Sequence, residues 1–211
     1  HFAHVSTAAA TELIRRARQD GLPVTADATP HHLTLAVDDM HPYDSSYKMN
    51  PPLRTGKDQE ALVAALNDGT IDAVATDHAP HTSLDKSQPF DQAPFGVIGL
   101  ETAFPLTLER LVSQAGMSRL SFVALFTTRP AAVLGLPQPS IVAGSQANLV
   151  LFDPQHKWTY DPAGGHSRSK NSPFRGRSMT GRAVMTVYRG KVVYKDGELL
   201  APRVRQAATT S

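Results

Sequence analysis

The sequence contains no cysteine, and this absence excludes disulfide bonds and thiolate metal sites. A bound metal would therefore need histidine, aspartate or glutamate ligands. No segment approaches the roughly 20 apolar residues that a membrane-spanning helix needs. Residues 1–5 also lack the basic flank and the long apolar run of a signal peptide. We therefore expect a soluble, cytoplasmic protein with no membrane partner.

A strong excess of one charge is also missing, because the formal net charge is only +2. The small basic excess falls late in the chain, at His166, Arg168, Lys170, Arg175, Arg177, Arg182, Arg189, Lys191 and Lys195. These residues alternate with turn residues and strand formers, so they make no basic helical face. We expect no nucleic-acid partner.

The first third of the chain alternates between strand and helix composition. Strands are predicted at residues 2–6, 24–28 and 71–76, and helices at 7–19 and 57–67. This alternation is typical of a parallel sheet covered by helices. Because the first residues already have the composition of a buried strand, we expect that sequence is missing upstream.

The remainder of the chain has a different character. Residues 29–32 are predicted as a loop, and residues 38–55 as a long irregular connection of the kind that usually has a functional reason. Helices are predicted at 101–115 and 121–134, with a break near Pro130. Beyond residue 140 the predicted elements are short strands, at 148–152, 183–188 and 191–194. Arg189-Gly190 and Asp196-Gly197 are typical turn pairs.

Histidine and aspartate collect where the predicted strands end. The clusters are His4, the pair His31 and His32, and Asp77 with His78 and His81. In a parallel α/β barrel the carboxyl ends of the strands face one common mouth. His4 and Asp77 suit Zn²⁺, which takes imidazole nitrogen and carboxylate oxygen when cysteine is absent. An aspartate at such a site can also carry a proton from water to a leaving nitrogen.

Each cluster also has a purely structural interpretation. A single histidine at a strand end is more often a hydrogen-bonded structural residue than a metal ligand. Asp77, which precedes His78 and Pro80, could simply cap a turn. The pair His31 and His32 could belong to an ordinary loop. Composition and spacing alone leave these alternatives open.

A family resemblance narrows the choice. Residues 75–81 (ATDHAPH), followed by Lys86, resemble the signature of dihydroorotases, the enzymes that open and close the dihydropyrimidine ring in pyrimidine synthesis. The other segments that agree with this family in order and spacing are residues 4–7, 29–33, 48–54, 93–96 and 170–174. The match extends to about residue 200, and the single-chain bacterial type is the more similar.

The resemblance implies an α/β fold: the C-terminal part of a TIM-like (β/α)₈ amidohydrolase barrel, about strands 6–8, with a small β-sandwich region. Residues 1–139 would form the partial metal-dependent hydrolase barrel. Residues 140–200 would form a small composite β domain, and residues 201–211 a tail without assigned function.

The resemblance also implies roles for individual residues. His4 would be a zinc ligand, and Asp77 both a zinc ligand and the general base and acid. The residues that would contact the substrate are Asn50, His81, Phe95 and Gly96. His81 would favour an acidic substrate. His31 and His32 would order a loop beside the site without binding metal.

The implied reaction is the reversible hydrolysis of the cyclic amide of dihydroorotate to N-carbamoyl-aspartate, with one or two Zn²⁺ ions. The ligands that the family takes from its first, fourth and fifth strands are absent from this chain. We therefore expect an isolated chain to be inactive and to need its missing N-terminal half or an oligomer partner.

Two alternatives to this function remain. The first is a hydantoinase-like or allantoinase-like cyclic amidohydrolase. The second is a non-catalytic dihydroorotase-like scaffold, for instance one bound to the aspartate transcarbamoylase of the same pathway.

Overall fold

A computed structural model describes residues 1–200, and the tail predicted at 201–211 lies outside the described residues. The chain divides into two compact units. The first contains His1–Pro139 and Lys157–Thr180, and the second contains Ser140–His156 and the chain from Gly181 on. In the part of the chain that is described, no helix combines the length and apolar character that crossing a membrane requires.

Parallel strands form the centre of the first unit. Strand β1 (Asp27–Ala28) pairs in parallel with β2 (Ala73–Val74), and Phe2 makes a parallel bridge to Ala26. These paired residues all lie within the predicted strands at 2–6, 24–28 and 71–76, but the observed strands are shorter than the predicted ones. The segment at residues 2–6 is cut short because His4 takes a left-handed backbone conformation with a φ of 58°, which a β-ladder does not accommodate.

Helices cover this sheet. They are α1 (Ala8–Gln19), α2 (Pro30–Thr34), α3 (Gly56–Asp68), α4 (Ser83–Lys86), α5 (Ala103–Thr107), the π-helical segment Leu108–Gln114, α6 (Arg119–Ala124) and α7 (Thr128–Val133). Short 3₁₀ turns lie at Val37–Asp39, Ser45–Tyr47 and Pro162–Gly164. The helices predicted at 7–19 and 57–67 are confirmed. The helix predicted at 121–134 with a break near Pro130 is divided between α6 and α7, and Pro130 lies in the first turn of α7.

Capping residues define where these helices begin. The side chain of Thr7 accepts a hydrogen bond from the backbone N–H of Ala10 at the start of α1. At the start of α3, Thr55 and Asp58 form a reciprocal capping box, which satisfies backbone N–H groups that the helix leaves unpaired. Gly69 ends α3 in a left-handed conformation.

The prediction of a loop at residues 29–32 is wrong, because Thr29 caps α2 and residues 30–32 form its first turn. Thr29 is the N-cap and accepts the backbone N–H of His32 at 3.2 Å. Pro30 occupies the first helical position, where its fixed φ suits a helix and its missing N–H costs nothing. The same proline suggested a loop from sequence, because proline punctuates turns as well as helix starts.

Two hydrophobic clusters lie within the first unit. One packs the sheet against the helices and includes Val5, Ile14, Ala26, Leu33, Leu62, Leu66, Ile71 and Phe122. The other includes Leu35, Tyr47, Met49, Leu53, Val97, Leu106, Tyr160, Phe174 and Met179. The second cluster contains residues of the long loops after α2 and β2, so these loops are anchored by burial.

The small β region is a four-stranded sheet in the order β3 (Leu149–Thr159), β4 (Ser178–Tyr188), β5 (Lys191–Lys195) and β6 (Glu198–Leu199). Both predicted turns are confirmed: Arg189-Gly190 joins β4 to β5 and Asp196-Gly197 joins β5 to β6, all four with positive φ. Strand β3 continues past Pro154, because proline is tolerated on an edge strand.

Candidate active site

His4 and Asp77 meet at the carboxyl ends of two parallel segments that lie on either side of the segment containing β1. His4 follows the bridge at Phe2, and Asp77 follows β2. Both have positive φ, 58° and 47°, which is uncommon for residues other than glycine and concentrates at functional sites. These backbone turns bring Nε2 of His4 to 3.6 Å from Oδ1 of Asp77, with the two side chains 27% and 26% exposed.

Asp27 fixes the orientation of His4. Its Oδ1 accepts the backbone N–H of His4 at 2.8 Å and lies 3.0 Å from Nδ1 of the same residue. Its Oδ2 lies 2.8 Å from Nε2 of His1. The hydrogen bond from Asp27 raises the pKa of His4 above its usual value, against the opposing effect of burial. Because a carboxylate can only accept, Nδ1 donates to Asp27, and Nε2 is the ring nitrogen that faces Asp77.

Sequence reasoning missed Asp27, although a signal was present. Asp27 lies near the carboxyl end of the predicted strand at 24–28, the position that drew attention to the other acidic and histidine residues. A carboxylate that accepts from the ring nitrogen opposite the free one is the usual second partner of a metal-binding histidine. The arrangement of Asp27, His4 and Asp77 follows that pattern.

The donor set formed by His4 and Asp77 fits part of a metal site. One imidazole nitrogen and one carboxylate face each other, and Zn²⁺ binds both kinds of atom. Within residues 1–200, no group of three or more potential ligands comes together, whereas catalytic zinc normally takes three protein ligands. Of the described residues, His4 and Asp77 therefore offer two donor groups, fewer than a catalytic zinc site needs.

His31 and His32 lie in α2 and are both buried. His32 uses both ring nitrogens, with Nδ1 2.7 Å from the Thr29 hydroxyl and Nε2 2.8 Å from the Pro51 carbonyl. Burial lowers the pKa of His32 and lowers that of His31 well below its ordinary value, so both rings are neutral at pH 7. His32 thus ties α2 to the residue that follows Asn50.

A second group of predicted site residues comes together around Gly96. Nε2 of His81 lies 2.8 Å from the carbonyl oxygen of Phe95, and the N–H of Gly96 donates to the carbonyl of Lys48 at 2.8 Å. Asn50, two residues after Lys48, is exposed. Gly96 has a φ of 127°, and an added Cβ would lie 2.4 Å from Cβ of Ala79. Only glycine fits this close approach.

Two further side chains hold this region. Nζ of Lys86 donates to the carbonyl of Pro94 at 2.9 Å and to that of Gly96 at 3.1 Å. Burial, with a smaller contribution from the charge of Lys48, lowers the pKa of Lys86 from 10.5 to about 8. Nδ1 of His78 accepts the backbone N–H groups of Gly99 at 3.1 Å and Leu100 at 3.4 Å. His78, for which the sequence indicated no role, therefore orders the turn before α5.

Comparison with curated proteins gives close relatives. The chain is 45% identical over 195 residues to the dihydroorotase of Anaplasma phagocytophilum, covering 92% of this chain and 43% of that protein. It is 47% identical over 195 residues to the dihydroorotase of Syntrophotalea carbinolica, covering 92% and 46%. The chain therefore spans less than half the length of these relatives. The resemblance to dihydroorotases drawn from the motifs is confirmed.

Solved structures give the same fold. The L-hydantoinase (dihydropyrimidinase) from Arthrobacter aurescens matches with a TM-score of 0.88 and 32% identity, covering 94% of this chain and 45% of that one. The D-hydantoinase (dihydropyrimidinase) from a Thermus species matches with a TM-score of 0.85 and 29% identity, covering 95% and 45%. The expected fold class, part of an α/β amidohydrolase barrel, is confirmed.

The sequence pattern of one family accounts for nearly all of this chain. It matches residues 1–193, a range that includes the pair His4 and Asp77 as well as the region around Gly96. Members of this family are generally metal-dependent, in agreement with the donor set that His4 and Asp77 present. The chain belongs to the amidohydrolase family.

Proposed function

We propose that this chain is the C-terminal part of a dihydroorotase, which reversibly hydrolyses the cyclic amide of dihydroorotate to N-carbamoyl-aspartate. The observation that carries the proposal is the approach of His4 Nε2 to Asp77 Oδ1 at 3.6 Å, with Asp27 behind His4. Identities of 45–47% to dihydroorotases, against 29–32% to the hydantoinases, favour this member of the family.

In this proposal His4 and Asp77 hold one or two Zn²⁺ ions together with ligands outside this chain. When bound, the metal would polarise the ring carbonyl and lower the pKa of the attacking water. Asp27 keeps His4 in the tautomer that leaves Nε2 free. A missing N-terminal half or an oligomer partner would supply the remaining ligands.

Asp77 would move the proton. As the water oxygen bonds to the ring carbonyl carbon, the Asp77 carboxylate accepts a proton from that water. It then delivers this proton to the ring nitrogen as the carbon–nitrogen bond breaks, giving the open carbamoyl product. In the reverse direction Asp77 removes the nitrogen proton while the ring closes.

The residues around Gly96 would bind an acidic substrate. We assign Asn50, His81, Phe95 and Gly96 to substrate contact, with His81 nearest the substrate carboxylate. Two positively charged side chains near Phe95 and Gly96 favour an anionic ligand in this region. Nζ of Lys48 lies 4.7 Å from the centroid of the Phe95 ring, and Nζ of Lys86 contacts the Gly96 carbonyl.

A hydantoinase-like activity is the second candidate, favoured by the TM-scores of 0.85 and 0.88 to hydantoinase structures. Dihydroorotate carries a carboxylate, whereas hydantoin and dihydrouracil are its uncharged analogues. We expect the full-length product of the gene that encodes this chain to prefer dihydroorotate by about 100-fold in kcat/KM, because an unpaired binding site for a charged group costs several kcal/mol. An equal or better kcat/KM for hydantoin would contradict the proposal.

Two further elements of the proposal do not depend on the geometry of the site. They are a cytoplasmic location and an association with aspartate transcarbamoylase. Co-purification of the full-length protein with the transcarbamoylase from the same cells tests the second. A stable complex whose dihydroorotase component hydrolyses no dihydroorotate would favour the scaffold alternative.

A further inference from the structure

Asn171 contacts two segments of the proposed substrate-binding region, residues 79–81 and Gly96. It lies in the segment Lys157–Thr180 of the first unit and is only 7% exposed. Its side-chain Oδ1 accepts the backbone N–H of His81 at 3.2 Å. Its Nδ2 donates to the carbonyl of Ala79 at 2.9 Å and to the carbonyl of Gly96 at 3.1 Å.

The chemistry of these contacts requires a primary amide. Two of the three groups that face the side chain are carbonyl acceptors and one is an N–H donor, so one end must donate twice and the other must accept. Asparagine meets all three, while an aspartate would set its charge against two carbonyl oxygens. The same pattern fixes which end of the amide is nitrogen, since the opposite orientation would place the amide oxygen against two carbonyl oxygens and the amide nitrogen against an N–H group.

The contacts of Asn171 join segments that are distant in the sequence. Residues 79–81 lie between β2 and α4, and Gly96 lies after α4. The three hydrogen bonds from Asn171 to these residues span 75 to 92 positions. The backbone carbonyl of Asn171 also accepts the N–H of Ile98 at 3.0 Å. Because Asn171 and Gly96 are buried and Ala79 and His81 are partly buried, breaking the hydrogen bonds would leave poorly solvated polar atoms unpaired and let residues 79–81 separate from Gly96.

We propose that Asn171 is a positioning residue that fixes His81 and Gly96 relative to each other and so sets the affinity for substrate. The inference rests on the proposed function, which assigns substrate contact to His81 and Gly96. Asn171 forms no hydrogen bond with His4 or Asp77, since its partners are Ala79, His81, Gly96 and Ile98. Loss of Asn171 therefore weakens binding more than the rate of hydrolysis.

The test compares three variants of the full-length gene product with dihydroorotate as substrate. Asn171→Ala removes every side-chain contact, and Asn171→Asp keeps the shape and the acceptor but loses both donors. We expect KM to rise about tenfold in both, with kcat within about threefold of wild type, which is the pattern of lost uniform binding. Thermal unfolding of each variant shows whether it is folded.

Ser172→Ala is the matched control. Ser172 lies next to Asn171 and is equally buried at 7% exposure, but its hydroxyl accepts the N–H of Phe174 and hydrogen-bonds the side chain of Tyr160 instead of contacting His81 or Gly96. We expect this variant to keep KM within about twofold of wild type. If Asn171→Ala does not fold, the near-isosteric Asn171→Asp decides the question.

The failure of this inference differs from the failure of the proposed function. A wild-type protein that hydrolyses dihydroorotate, together with Asn171 variants whose KM stays within about twofold, overturns the positioning role alone. An equal rise in KM for Ser172→Ala also overturns it, because the effect would then belong to the loop as a whole. A metal-loaded wild-type protein without any turnover of dihydroorotate removes the proposed function and this inference with it.

Discussion

Asp27 holds His4 at two points, since its Oδ1 accepts the backbone N–H at 2.8 Å and lies 3.0 Å from the ring Nδ1. One buried carboxylate oxygen thus fixes both the backbone and the ring of a residue whose φ is 58°. The unusual backbone directs the imidazole toward Asp77, and Asp27 stabilises it there. The proposed metal site depends on this pair.

Substituting Asp27→Asn tests that dependence. The amide can still accept one hydrogen bond, but the variant loses the carboxylate whose hydrogen bond and charge raise the pKa of His4. We expect the full-length protein to lose about 10–100-fold in Zn²⁺ affinity, measured by competition with a chelator. Asp72→Asn is the control, because the contacts of Asp72 are with the N–H of Ala26 and with Arg18 and not with the His4 side chain. Unchanged Zn²⁺ affinity in Asp27→Asn would count against the role of Asp27.

Asp77→Asn should abolish most catalysis in the full-length protein. The substitution removes a proposed ligand and the group that carries the proton, and general acid–base catalysis alone contributes about 10²–10⁴-fold. Initial rates of dihydroorotate hydrolysis at saturating substrate measure the loss, and circular dichroism confirms that the variant folds. Near-normal turnover would contradict the assignment of Asp77.

Acid should destabilise the protein through His31. Burial lowers the pKa of this residue well below 6.5, so below that pH the unfolded chain binds a proton that the folded chain does not. The contribution of His31 to the free energy of unfolding is therefore fully present above about pH 6.5. It falls as the pH decreases, by up to about 1.4 kcal/mol per pH unit for one such group.

The variant His31→Phe keeps a ring of similar shape and removes this titration. We expect the free energy of unfolding of the variant to fall less steeply between about pH 6.5 and 5 than that of wild type. Urea unfolding at several pH values measures both slopes. His32 retains its own titration in both proteins, so parallel slopes would mean that His31 takes up no proton on unfolding.

Asp58 stabilises two helices at once. Its Oδ2 accepts from Thr55 in the capping box of α3, while its Oδ1 accepts the backbone N–H of Ala8 at the start of α1 at 2.9 Å. We expect Asp58→Ala to lower the free energy of unfolding by about 1–2 kcal/mol. Asp85→Ala, in the exposed capping box of α4, is the control and should cost less than about half as much.

Local signals predicted the elements that local interactions determine. Helix α3 has its capping residues and its terminal glycine within its own sequence, and the turn pairs at 189–190 and 196–197 carry the residues that positive φ requires. The motif resemblance singled out His4, Asp77, His81 and Gly96 as candidate site residues. Each of these features is readable from a few neighbouring residues.

Contacts between distant residues could not be predicted in this way. Asp27 and His4 are separated by 23 positions, and Asn171 lies 75 positions from Gly96. Nothing in the surrounding sequence of either residue states which partner the fold will bring to it. Helix α2 was missed for a local reason, since a proline after a threonine suits a turn as well as a helix start.

The most direct test is hydrolysis of dihydroorotate by the full-length gene product, before and after removal of metal with a chelator. The account predicts turnover that the chelator abolishes and that added Zn²⁺ restores, with His4→Ala failing to recover at the same Zn²⁺ concentration. Absence of turnover in the metal-loaded protein, or turnover that the chelator leaves unchanged, would contradict a metal-dependent dihydroorotase built on His4 and Asp77.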